Sequence, residues 1–177
     1  MRTMILLTLL ATVLSGQQTR KEVTMPGPRD SQPNDAKVPD VYAIPTQFER
    51  VLILRFKYQT DLLDGLQRML KENHVKNGII LNAFGSVTGY QIHEVSNRTF
   101  PSKDTFVADP TMPADIVTMS GYVLGGKLHP HISLATPDKG FGGHLEPGTK
   151  VFTFAVVTVG VLPDALDLTK LDDKNYR

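Results

Sequence analysis

The chain has 177 residues, 19 Lys and Arg against 18 Asp and Glu, a formal net charge of +1 and no Cys. Without Cys there is no disulfide, no thiolate metal ligand and no cysteine nucleophile. The cationic residues are scattered and balanced by acids, so the chain lacks the basic footprint that concentrates a protein on nucleic acid.

At the N-terminus, Arg2 precedes an apolar run from Met4 to Leu14 that is interrupted only by two threonines. Val13-Leu14-Ser15 then offers a small-x-small cleavage site. This is the layout of a secretory signal peptide over residues 1–16, and the run is too short to span a bilayer. The expectation is an exported protein, periplasmic or secreted, with no membrane span in its mature chain. Residues 17–45 carry Pro26, Pro28, Pro33, Pro39 and Pro45 among polar residues and read as a disordered linker. The remainder is enough for one ordinary domain, 46–163, followed by a polar tail, 164–177.

Within the domain, Phe48 to Thr60 is aliphatic and β-branched and predicts a strand. Thr60 or Asp61 can cap a helix in which Leu62, Leu63, Leu66, Met69 and Leu70 recur at helical spacing, stopped at Asn77-Gly78. His74 falls in its last turn, a position that reads as surface. Strands follow at Gly78–Phe84 and Val87–Val95, separated by a break at Gly85-Ser86. His93 shares a face with Gln91 and reads as solvated. A polar loop over 96–114 leads to a strand at Asp115–Leu124, a hairpin, and a long apolar strand from Lys150 to Leu162. One helix among so many strands predicts an α+β fold with a mostly antiparallel sheet.

The hairpin, "LHPHISLATPDKGFGGHL" from Leu128 to Leu145, holds three of the five histidines. Period-two geometry puts Leu128, Pro130, Ile132 and Leu134 on one face and His129, His131 and Ser133 on the other. Pro130 cannot donate to a ladder and favours an edge or a bulge. A two-residue turn at Asp138-Lys139 would pair Ser133 with His144 and set His144 diagonal to His131, on the same face. Three imidazoles so placed suit one divalent cation with a fourth position open. Three nitrogens without thiolate favour zinc, with nickel or copper also compatible. Gly142 and Gly143 allow close backbone approach or a bulge next to His144. Asn82, Gly85, Ser86, Ser133, Gly142 and Gly143 are the candidate lining of an adjoining ligand pocket.

The segment "GGKLHPHISLATPDKGFGGHLEPGTKV" resembles the signature of the plants-and-prokaryotes conserved (PPC) domain, roughly H-x-H-x-S-L-A … G-G-H-L … G. The segment "VLILRFKYQTDLLDGLQRMLKENHVKNGIILNAFGSV" resembles the opening half of the same family. The resemblance covers about Phe48 to Leu162 and implies a homotrimer, with His129, His131 and His144 at the family's histidine positions. Thr136 stands where the family often has Asp. Ala155-Val156 stands where it often has Ala-Glu, so chemistry resting on that Glu does not carry over. The "DNA-binding" label of the family comes from plant members with Arg-Gly-Arg-Pro segments, and none occurs here.

The reading these features favour is an exported trimeric binding module that holds a metal and a small polar or anionic ligand of unspecified identity. Two alternatives stand beside it. One is a metal-dependent enzyme of unspecified reaction assisted by Ser133, Glu146 or Asn82. The other is DNA binding, which rests on the family label alone, and nucleic acid is not an expected partner. Export carries its own test: N-terminal sequencing of the exported fraction should find a mature chain beginning at Gly16 or Gln17. Recovery of Arg2 there would refute it.

Overall fold

The computed structural model describes residues 18–25, 27 and 32–171, so the expected signal peptide, 1–16, lies outside the described residues. In chain order the elements are β1 (Thr19–Thr24), β2 (Arg50–Lys57), α1 (Leu62–Glu72), β3 (Asn77–Val95), β4 (Lys103–Asp109), β5 (Ala114–Leu124), β6 (Lys127–Ala135), β7 (Gly140–Leu145) and β8 (Lys150–Leu162). A short 3-10 turn, Thr169–Leu171, follows. Every strand pairing is antiparallel, and a single α-helix occurs among the described residues. The expected α+β class with a mostly antiparallel sheet is what the chain adopts.

Helix α1 starts where its apolar spacing starts. The Asp61 carboxylate accepts from the amides of Leu63 and Asp64, both at 3.1 Å, and so satisfies two donors that the first turn leaves free. Its second oxygen accepts from the Gly148 amide at 2.6 Å and ties the helix start to the loop before β8. Leu62, Leu66 and Leu70 are buried. Gly65 faces Phe56 of β2, whose ring would lie 2.7 Å from any added Cβ, so a bare backbone lets helix and sheet meet. The helix ends at Asn73 rather than Asn77-Gly78, because His74 takes the left-handed turn (φ 53°).

Asn77 has another task. Buried at the start of β3, it accepts from the Gly125 amide at 3.2 Å and donates to the carbonyls of Pro163 and Leu166, each at 3.1 Å. One amide side chain therefore joins three separate segments, and the first residues of the expected tail are anchored, with Leu168 buried.

Strand β3 is the hub of the sheet, pairing with β4, β5, β7 and β8. The expected break at Gly85-Ser86 is corrected: the strand runs unbroken for 19 residues. Gly85 (φ 141°) lies against the Phe154 carbonyl where no Cβ would fit, and a register shift beside it bends the strand without ending it. Two further expectations fail for one reason. Strand β4 lies inside the expected loop 96–114, and β1 inside the expected linker 17–45. Their residues are mostly polar or exposed, and the two are joined by six backbone pairs and a 3.0 Å Lys103–Glu22 ion pair. Apolar periodicity does not report strands held chiefly through the backbone.

The β6–β7 hairpin closes part of the sheet on itself, since β5 pairs with β3 and β6, while β7 pairs with β6 and again with β3. Met119, Ile132, Leu134, Leu145, Val87 and Tyr90 are fully buried in this unit. Leu54 and Phe56 of β2 and Val157 and Val159 of β8 continue the core toward α1. The opposite face of the same strands carries large exposed apolar side chains, including Ile53 (75% exposed), Phe84 (51%) and Phe154 (37%).

Replacing Asn77 by Leu should lower stability by about 2–3 kcal/mol in urea unfolding, because a buried amide and two carbonyls lose their partner together. A loss within about 0.5 kcal/mol would show that Asn77 does not hold these segments.

Candidate metal centre

The hairpin turn differs from the expectation in a way that shapes the site. Residues Thr136–Lys139 form a four-residue connection with Ala135 opposite Gly140, so His144 stands directly opposite His131, and Ser133 opposite Gly142. The expected Ser133–His144 pairing is displaced by two residues. A shift of two keeps every side chain on its face, so His144 still joins His129 and His131. Pro130 is buried one residue beyond the last β6–β7 pair, at the edge position its missing N–H favours.

Strand β7 then brings in a fourth imidazole. His144 is also opposite His93 of β3, and the registers align Phe106, His93, His144, His131 and Ser120 across five strands. The approach depends on glycine. A Cβ at Gly142 would strike the Ile132 carbonyl, and one at Gly143 the His93 carbonyl. These glycines, expected as pocket lining, instead set the strand spacing.

Nε2 of His129 and Nε2 of His131 are 3.2 Å apart. Two nitrogens bound to one tetrahedral zinc at 2.0–2.1 Å would be separated by about 3.3 Å, so the spacing suits a shared cation. The His144 ring centroid lies 4.9 Å from that of His129 and 5.6 Å from that of His131, edge-on to both. On the other side, Oε1 of Glu146 lies 2.9 Å from Nδ1 of His144 and 2.7 Å from Nδ1 of His93. A carboxylate only accepts, so both rings donate from Nδ1, which leaves the His144 Nε2 lone pair for a ligand. His93 stacks on His144 at 4.6 Å between centroids, and its Nε2 is 3.6 Å from the buried Asp104 carboxylate.

The electrostatics favour neutral imidazoles. Burial, followed by the neighbouring charges of His129 and His93, holds His131 below the ordinary histidine range. His131 is exposed when taken whole, yet its ring stands among the others. His144 is also held down, by burial first and His93 next, against the opposing pull of Glu146. A neutral imidazole is the form that ligates.

His93, His144 and Glu146 form a group able to hold a metal ion, their ligand atoms all within 4.8 Å of one another. The expectation that His93 is merely solvated is thus corrected. Glu146, already a candidate assisting residue in the sequence, lies two residues beyond His144 and so on the same face. His93 could not be read from the sequence, because only the long-range pairing of β3 with β7 brings it there. His74 remains exposed, away from the histidine cluster at the end of α1.

The other expected lining residues divide. Ser133 shares the histidine face and is opposite Thr118, whose hydroxyl donates to Asn82 at 2.9 Å. Gly85 and Ser86 engage elsewhere: Gly85 lies against Phe154 and Ala155, and the Ser86 hydroxyl lies 2.7 Å from that of Thr153.

Known proteins share this architecture. The chain is 18% identical to a plant- and prokaryote-conserved (PPC) protein from Pyrococcus horikoshii, with a TM-score of 0.57 over 70% of this chain and 85% of that one. It is 21% identical to a metal-containing protein from Archaeoglobus fulgidus, with a TM-score of 0.54 over 69% of this chain and 86% of that one. It is also 27% identical over 146 residues to the bifunctional protein GlmU of Synechococcus sp. (strain JA-3-3Ab), covering 82% of this chain and 21% of that protein. The chain therefore spans about a fifth of the length of that relative. The Plants and Prokaryotes Conserved (PCC) domain matches residues 44–163, about two thirds of the chain and the whole unit from β2 to β8, and the chain belongs to that family.

Proposed function

We propose that this chain is an exported, homotrimeric binding protein in which His129, His131 and His144 hold a divalent cation, zinc by preference, beside a site for a small polar or anionic ligand. The observation that carries the reading is the 3.2 Å separation of the His129 and His131 Nε2 atoms, with a third imidazole edge-on to both. Glu146 acts through His144, fixing its tautomer and ring angle as outer carboxylates do for metal-bound histidines. Zinc held by three imidazoles keeps a fourth position for water or a ligand. Ser133 shares the histidine face, and Asn82 is joined to the residue opposite it, Thr118. The metal-containing relative from A. fulgidus supports the reading by sharing the fold.

The exposed face of the sheet supports the assembly. Helix α1 packs on one face of β2, and the opposite face of the sheet leaves Ile53 of β2, Phe84 of β3 and Phe154 of β8 exposed. An apolar face of this kind is buried in a stable oligomer. It continues along β5, where Val117 and Tyr122 are exposed and Tyr122 stands opposite His129. A neighbouring protomer on this face would reach the margin of the histidine cluster. Export rests on the N-terminal apolar run.

In titration calorimetry of untagged protein, His129→Ala, His131→Ala and His144→Ala should each weaken Zn²⁺ binding by orders of magnitude while circular dichroism stays unchanged. Glu146→Leu should cost about 10–100-fold. Glu146→Gln should cost much less, since its carbonyl oxygen still accepts from His144. If instead Glu146→Gln abolishes binding and His129→Ala does not, the ion belongs to His93, His144 and Glu146.

Light scattering at micromolar concentration should give a trimer. Ile53→Lys combined with Phe84→Lys should shift it to monomer. A wild-type monomer would refute the assembly.

A further inference from the structure

A cavity of about 710 Å³ opens where the C-terminal end of α1 meets the β5–β6 turn, apart from the histidine cluster. Leu70, Val75 and Leu128 supply its apolar lining, and Lys71, Lys76, Lys127 and His74 line it as well. No Asp or Glu is among the lining residues. The three lysines come from a helix, the loop after it and a strand, so the convergence of charge is a product of the fold rather than of a basic run in sequence.

Two details bear on how an anion would be held. Gly125 and Gly126 form the turn at φ 57° and 82°, and a Cβ on either would meet nothing, so the mouth is open there. Their amides are already engaged, Gly125 with Asn77 at 3.2 Å and Gly126 with the Lys76 carbonyl at 2.8 Å. Attraction must therefore come from the lysine side chains. Lys76 donates to the Asp164 main-chain carbonyl at 3.2 Å, a neutral partner.

We propose that this cavity binds a phosphate monoester of a small ring-bearing organic molecule. Three lysine point charges match a compact dianion better than a single carboxylate, which would leave most of the positive charge unopposed. The volume is typical of small-molecule sites and far exceeds the needs of inorganic phosphate. The apolar lining supplies the surface on which a ring would lie. A phospholipid headgroup offers the same phosphate chemistry, and the test separates the two sources.

Amide NMR titrations of the intact protein with phenyl phosphate and AMP should give saturable shifts at Val75, Gly125 and Gly126. Inorganic phosphate should bind at least about tenfold more weakly. Lys71→Glu combined with Lys127→Glu should remove the shifts while the rest of the spectrum and zinc binding stay as in wild type. No saturable shift with either ester up to about 10 mM would overturn the proposal. So would unchanged binding in the double variant, or inorganic phosphate binding as well as the esters. Co-sedimentation with phosphatidic acid vesicles, without response to the soluble esters, would overturn the soluble ligand in favour of a lipid surface.

Discussion

The site depends on how closely β7 lies between β6 and β3. Antiparallel strands stand about 4.8 Å apart, and opposed side chains on one face come within about 5 Å of each other. Gly142 and Gly143 leave the space that the Ile132 and His93 carbonyls take up. That double approach places His144 opposite His131 on one side and His93 on the other. It also closes the sheet, so one pair of residues without side chains governs both the core and the histidine cluster.

Because the cluster stands on paired strands, its geometry is set before any ligand arrives. Burial and the neighbouring imidazoles hold His131 and His144 below the ordinary histidine range, and Glu146 orients the ring that bridges the two halves of the group. The hydrophobic side chains of β6 point the other way, into the closure, so the polar and apolar duties of the hairpin fall on alternate residues of the same strand.

What the sequence made legible followed from period. Alternation in Leu128–Leu134 separated the histidine face from the core face, and helical spacing from Leu62 to Leu70 located α1. The hairpin register was not legible, since both a two-residue and a four-residue turn agree with Thr136–Gly140, and only the strand partners decide. Strands β1 and β4 were hidden because polar residues dominate them. His93 and Asp104 were out of reach because their place in the cluster comes from pairing between distant parts of the chain, which no local pattern encodes.

The central position of β3 has a consequence for how the chain reaches its native state. Its partners lie both nearby and as far away as β8, and β2 finds its own partner only in β8, about a hundred residues later. Closing loops of that length precedes the gain from pairing, which slows folding relative to helical domains of the same size. The sheet cannot be completed until residues up to Leu162 are present, so a growing chain stays open until β8 has been made.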